Sequence, residues 1–195
     1  MSNDLQLITQ LRKQTGAGIA DCKEALAEAG NDLDKAVEIL RKKGAKIAGK
    51  RADKQASEGI IYAYIHSNQK VGALIELNCE TDFVAKNEEF KNLAHDLAMH
   101  ITAENPLYLN PEEVPEEVLN KEKEIIKEEL KAEGKPEDMI EKIVEGKINK
   151  WYQEVCLLKQ QYIKNDEIDI EALINEKIAS LGEKIEVGSF SRKQI

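Results

Sequence analysis

No run of apolar residues in this sequence approaches the roughly 18 that a membrane-spanning helix needs, which excludes a helical membrane protein. The stretch from Met1 to Gln10 carries Asp4 and no basic side chain. A secretory signal, which needs a basic region before an apolar one, is therefore not expected. Cysteine is scarce: Cys22, Cys79 and Cys156 are odd in number and far apart. That argues against a disulfide framework and for a reducing, cytoplasmic setting. Aromatic residues make up only 5% of the chain, which suits a helix-rich protein better than an all-β one.

What is present is a chain of 195 residues, 42% hydrophobic and 33% charged. That is enough for one large domain or two small ones with a heavily solvated exterior. The net charge of -9 is unevenly spread. Residues 1–57 hold 11 basic and 8 acidic side chains, the remainder 17 and 29. The acidic bulk repels phosphate backbones, so direct nucleic-acid binding is not expected and a protein partner is.

Residues 1–43 read as three short helices. Leu7, Ile8 and Leu11 line the first, from about Asp4 to Gln14, and Thr15-Gly16-Ala17-Gly18 breaks it. Ile19, Cys22, Ala25, Leu26 and Ala29 form the inward face of the second, which Gly30 ends. The third starts at Asn31 or Asp32 as N-cap, with Leu33, Ala36, Val37 and Leu40 in helical spacing. Residues 44–57, with Lys46, Lys50, Arg51 and Lys54, read as a basic linker that can also be helical. The expected division is 1–52 for the bundle and linker, and 53–195 for a core domain.

In that core the period changes. Ile61, Ala63 and Ile65 alternate with Tyr62, Tyr64 and His66. After Ser67-Asn68-Gln69-Lys70, Val71, Ala73, Ile75, Leu77 and Cys79 alternate with Gly72, Leu74, Glu76 and Asn78, which predicts a hairpin. Phe90, Leu93, Ala94, Leu97, Ala98 and Ile101 form a wide helical stripe that should cover the sheet. Across about 112–150 the stripe thins to Val118, Leu119, Ile125, Ile126 and Leu130. Beyond Gly134-Lys135-Pro136 it resumes at Ile140, Ile143, Val144 and Ile148, predicting a protruding helical hairpin. Residues 151–164 lead back to a helix with Ile170, Leu173, Ile174, Ile178 and Leu181, then a closing strand at Ile185 and Val187. The fold class is α+β: a three-helix bundle, then an antiparallel sheet covered by helices.

Reactive chemistry is hard to find. Gly44-Ala45-Lys46-Ile47-Ala48-Gly49-Lys50-Arg51 has the spacing of a phosphate loop, but Arg51 stands where a Ser or Thr must hold Mg²⁺, and a helix precedes it instead of a strand. His66, His95 and His100 lack metal-ligand spacing, and the cysteines form no C-x-x-C. No catalytic residue, metal or cofactor is expected, and the chain does not read as an enzyme. Asn78-Cys79-Glu80-Thr81-Asp82-Phe83-Val84-Ala85-Lys86-Asn87 lies between the second strand and the covering helix, and two readings are open. Thr81 or Asn87 caps a helix while Phe83 and Val84 pack inward, or the corner presents a carboxylate and an aromatic anchor to a partner.

This segment resembles the elongation factor Ts family, as does Arg12-x-x-Thr15-Gly16-Ala17-Gly18-x-x-Asp21-Cys22-Lys23-x-Ala25-Leu26. The likeness extends through Pro106-Leu107-Tyr108-Leu109, Glu113-Val114-Pro115, Glu133-Gly134-Lys135-Pro136, Glu141-Lys142-Ile143-Val144-Glu145-Gly146 and Glu154-Val155-Cys156-Leu157-Leu158. It departs at the C-terminus, where Lys184 replaces the family's Asn and Gly188-Ser189-Phe190 its basic pair. The resemblance implies a guanine-nucleotide exchange factor of translation elongation. Such a factor binds elongation factor Tu in its GDP form, displaces Mg²⁺ and promotes GDP release so that GTP can bind. It implies that the bundle is ubiquitin-associated-like, with Arg12, Thr15, Gly16, Ala17 and Gly18 docking on the nucleotide-binding domain. It implies that Thr81, Asp82, Phe83 and Val84 dislodge the Mg²⁺. Longer members carry two related core subdomains and this chain has one sheet module, so a homodimer is expected, through an open sheet edge or the apolar seam around Trp151, Tyr152 and Leu157. The alternative is a non-catalytic protein-binding scaffold of the translation machinery.

Overall fold

The computed structural model describes residues 2–195. Helices α1 (Ser2–Thr15), α2 (Ile19–Glu28) and α3 (Leu33–Arg51) close around Leu11, Cys22, Ala25, Leu26, Ala36, Val37 and Leu40. Gly30 ends α2 in the left-handed conformation (φ 65°), and the Asp32 carboxylate caps α3 by accepting from the Lys35 amide. Ile19 does not face inward as its spacing suggests. It is 59% exposed, because it opens the first turn of α2, beyond the reach of the other two helices.

The basic stretch read as a linker is helical as far as Arg51. Gly44 is the reason it can pack: a Cβ there would lie 3.4 Å from the Asn175 carbonyl of the last helix. The phosphate-loop spacing thus lies within continuous helix, not in the loop that a phosphate cradle needs.

Strands β1 (Glu58–Ile65) and β2 (Val71–Cys79) form the expected hairpin. A short helix, α4 (Asp82–Ala85), turns the chain into α5 (Glu88–Glu104). After helix α8 (Ile170–Leu181), strand β5 (Ile185–Gln194) returns beside β2, giving the antiparallel order β1-β2-β5 with a bulge near Gly188. Ala73, Ile75, Leu77 and Cys79 are buried on the inner face. On β1 the tyrosines take that side: the Tyr62 hydroxyl lies 3.1 Å from His95 Nδ1 of α5. Ile61, Ile65 and, on β2, Leu74 face outward and are 76%, 65% and 50% exposed.

The chain divides into two compact units, one running to Thr102 and resuming over Glu171–Ile195, the other Ala103–Ile170. The second unit holds α6 (Glu116–Ala132) and α7 (Glu137–Val155), an antiparallel pair sealed by Ile126, Leu130, Ile140, Val144 and Ile148. Val118 and Ile125, read as part of this stripe, are 38% and 43% exposed, because two helices share only one narrow seam. Trp151 and Tyr152 lie within α7 rather than after it. The sequence pattern also missed a small hairpin of β3 (Gln161–Tyr162) and β4 (Asn165–Asp169). Among the described residues, eight α-helices and small antiparallel sheets make a mixed α+β protein, and no helix is long and apolar enough to cross a membrane.

Candidate functional site

The corner between β2 and α5 is built on one turn of helix. Thr81 is extended (φ -131°, ψ 156°) and caps α4, its Oγ1 accepting from the Val84 amide at 3.5 Å. A single turn phased from Thr81 points Val84 and Ala85 into the core, at 9% and 7% exposure, and leaves Phe83 outside at 83%. The inward reading therefore holds for Val84 and not for Phe83. Asp82 stands beside Phe83, its Oδ2 2.6 Å from Lys86 Nζ. That hydrogen-bonded ammonium holds the Asp82 carboxyl below its ordinary range.

The corner is anchored from behind. Glu183, between α8 and β5, accepts from both the Thr81 amide (3.0 Å) and hydroxyl (2.7 Å). Glu80 Oε1 accepts from the Lys184 amide at 2.6 Å and from Arg51 at 2.8 Å. The Lys184 amide first, and the Arg51 guanidinium with it, keep the Glu80 carboxyl below its usual range. Cys79 beneath is buried, and that burial, reinforced by the charge of Glu183, pushes its thiol up to about 11, so it is no nucleophile at neutral pH.

The second candidate surface is the α1–α2 turn. Thr15 Oγ1 donates to the Leu11 carbonyl (2.8 Å) and accepts from the Ala17 amide (3.3 Å), closing the turn on itself. Gly16 takes φ 68°, a conformation that a Cβ would strain. Lys177 Nζ lies 3.8 Å from where that Cβ would stand, so part of the turn faces its own α8. Arg12, Gly16, Gly18 and Ile19 remain exposed. Ile19, read as inward and found 59% exposed, is the residue that sequence reasoning missed. Glu183, Glu80 and Arg51 were also missed, and no local pattern marks them: Thr81 and Glu183 are 102 positions apart.

Behind the turn, Glu176 of α8 faces Arg41 of α3, with Nε to Oε1 at 3.9 Å. Burial pushes the Glu176 carboxyl up to about 6 from an ordinary 4.5, against the opposing charges of Arg41 and Lys177. A carboxyl raised on folding favours the folded state fully below its unfolded value, and that advantage is lost as pH rises through about 6. Glu176→Gln is therefore expected to be more stable than the parent at pH 7.5, by at most about 2 kcal/mol. It should show no advantage at pH 4. Urea unfolding at both pH values checks this; a variant less stable at pH 7.5 would show that the Arg41 pair outweighs the cost of burial.

Comparison with known proteins gives one answer along the whole chain. The family model described as elongation factor TS matches residues 5–195. The protein named elongation factor Ts from Moorella thermoacetica is 55% identical over 188 residues, covering 96% of this chain and 93% of its own length. Its namesake from Syntrophus aciditrophicus is 54% identical over 189 residues, 97% of this chain and 94% of that one. A third, from Thermotoga petrophila, is 54% identical over 195 residues, 100% and 97% of the two chains.

Proposed function

The chain belongs to the elongation factor Ts family, and from that premise we propose that it is the guanine-nucleotide exchange factor for elongation factor Tu. The observation that carries this reading is Phe83, an aromatic 83% exposed on a turn whose next two residues are locked in the core. A buried aromatic fixes itself by packing; an exposed one on a rigid turn is an anchor awaiting a pocket. Thr81, Asp82, Phe83 and Val84 act on the Mg²⁺ site of the GTPase, and Arg12, the Thr15–Gly18 turn and Ile19 dock on its nucleotide-binding domain. The setting is the cytoplasm.

The factor needs no reactive group. Mg²⁺ bridges and neutralises the nucleotide phosphates in the partner. Inserting the corner beside that ion disturbs its ligands, and GDP is then held less tightly. By linkage, GDP weakens factor binding by the same ratio. The test is to measure the affinity of the chain for elongation factor Tu with and without GDP, and the affinity for GDP with and without the chain. Equal ratios well above one support exchange. A chain that binds equally well in both cases is a scaffold instead.

A second copy of the chain is a further proposed partner. In the apolar seam considered for this, Leu157 is fully buried while Trp151 and Tyr152 are half-buried. The sheet has β1 and β5 at its edges, and its outer face adds apolar surface: Ala63 pairs with Leu74, and Ile61 and Ile65 flank it on β1. Pairing two such faces gives a self-complementary two-fold interface and supplies a second sheet module. Sedimentation at micromolar concentration with reductant should show twice the 21.9 kDa chain mass. Ile61→Lys with Ile65→Lys should reduce it to one chain. A parent species already at 21.9 kDa and fully active in exchange contradicts the dimer.

A further inference from the structure

The paired ladder between β2 and β5 ends at Cys79 and Ile185. Beyond it the two segments have no further paired positions. Two carboxylates continue the stitching. Glu80, on the β2 side, accepts from the Lys184 amide; Glu183, on the β5 side, accepts from the Thr81 amide and hydroxyl. Each segment thus lends a side chain to the other's backbone, in reciprocal fashion. Arg51, the last residue of α3, donates to the same Glu80 oxygen.

We propose that this reciprocal pair of glutamates is a clasp that sets the angle at which the Thr81–Val84 corner leaves the sheet, and that Glu183 is a positioning residue for nucleotide exchange. The inference rests on the reading of that corner as the element acting on the GTPase. Its logic comes from what holds Phe83. With 83% of its surface exposed, the ring has almost no packing of its own, so its place is set by the backbone on either side. On the far side, buried Val84 and Ala85 fix the turn. On the near side the other bonds to Thr81 are longer: its hydroxyl accepts from the Val84 amide at 3.5 Å, and its carbonyl accepts from the Ala85 amide and the Cys79 thiol, each at 3.2 Å. The two bonds that Thr81 donates to Glu183 are the short ones, and a bidentate carboxylate fixes both the backbone and the hydroxyl of Thr81 at once. Loosening Thr81 leaves the fold intact but lets the anchor swing, and misplacement of an acting group by about an ångström is costly to a rate.

The experiment measures release of labelled GDP from elongation factor Tu over a range of concentrations of the full chain, for the parent, Glu183→Ala, Glu183→Gln, Phe83→Ala and the Glu183→Ala/Phe83→Ala double variant. Glu183→Ala is expected to lower the maximal release rate about tenfold with little change in the half-saturating concentration. Glu183→Gln, which keeps one acceptor, should recover part of that loss. The double variant should be no slower than Phe83→Ala alone, since a loosened corner matters only through the ring it carries. A merely structural glutamate would change the melting temperature and leave this kinetic split unmoved. Glu183→Ala that is folded and retains the parent's maximal rate overturns the proposal, as does full additivity in the double variant. Should Glu183→Ala fail to fold, Thr81→Val, which removes the hydroxyl's bonds to Glu183 and to the Val84 amide but keeps the Thr81 amide bond to Glu183, carries the same test with the same outcomes. A parent chain that does not accelerate release at all overturns the reading of the corner itself, and the clasp's role with it.

Discussion

Phe83→Ala is expected to slow the GDP release promoted by the chain by roughly 30-fold or more, the effect of losing a central aromatic anchor. Its stability should stay within about 0.5 kcal/mol of the parent. The two halves of this expectation come from one fact. The ring is 83% exposed while Val84, beside it, is 9% exposed, so removing the ring opens no cavity. A buried Phe would instead cost about 3–5 kcal/mol on truncation. Urea unfolding and stopped-flow release on the same preparation separate the outcomes. A variant that unfolds far earlier would place the ring in the core, and one that is stable and fully active would remove the corner from the mechanism.

The second large effect is expected at the bundle. Arg12→Ala with Ile19→Asp should weaken binding to elongation factor Tu by roughly 30-fold to 1,000-fold, in the range of two interface hot spots. Both side chains are exposed, Ile19 at 59%, so the circular dichroism spectrum should not change. Deleting residues 1–52 is a blunter probe. It would also uncover the face of α8 against which Gly44 packs and remove Arg51 from Glu80. Binding that is unchanged in the double variant, measured by titration calorimetry, would take the α1–α2 turn out of the interface.

The sequence made the bundle legible because each helix buries one face, and the spacing of Cys22, Ala25 and Leu26 or of Ala36, Val37 and Leu40 has only one helical explanation. It misled at Ile19 because the apolar stripe of α2 runs one turn past the helices that cover it. Alternation located β1 but did not tell its sides apart, since Ile61 and Tyr62 are both hydrophobic. The outward isoleucines emerge only once Tyr62 is seen against His95. Strands of two and five residues are too short to show a period, which hid the β3–β4 hairpin. At the corner, the motif was visible and its orientation was not. Phe83 and Val84 are equal candidates for burial until the cap at Thr81 sets the phase of the turn. The glutamates behind it were beyond reach, because Glu183 meets Thr81 only after β5 has folded back beside β2.

On the proposed function, this chain speeds the loss of GDP from elongation factor Tu by acting at its Mg²⁺. The most direct measurement is stopped-flow release of fluorescent GDP from that GTPase as the chain is titrated in, once with Mg²⁺ present and once after chelation. Exchange by Mg²⁺ displacement predicts a release rate that rises and saturates with the chain, with an acceleration that is large in Mg²⁺ and much smaller without it. A release rate that does not depend on the chain would rule out exchange, and an equal acceleration with and without Mg²⁺ would rule out action at the ion.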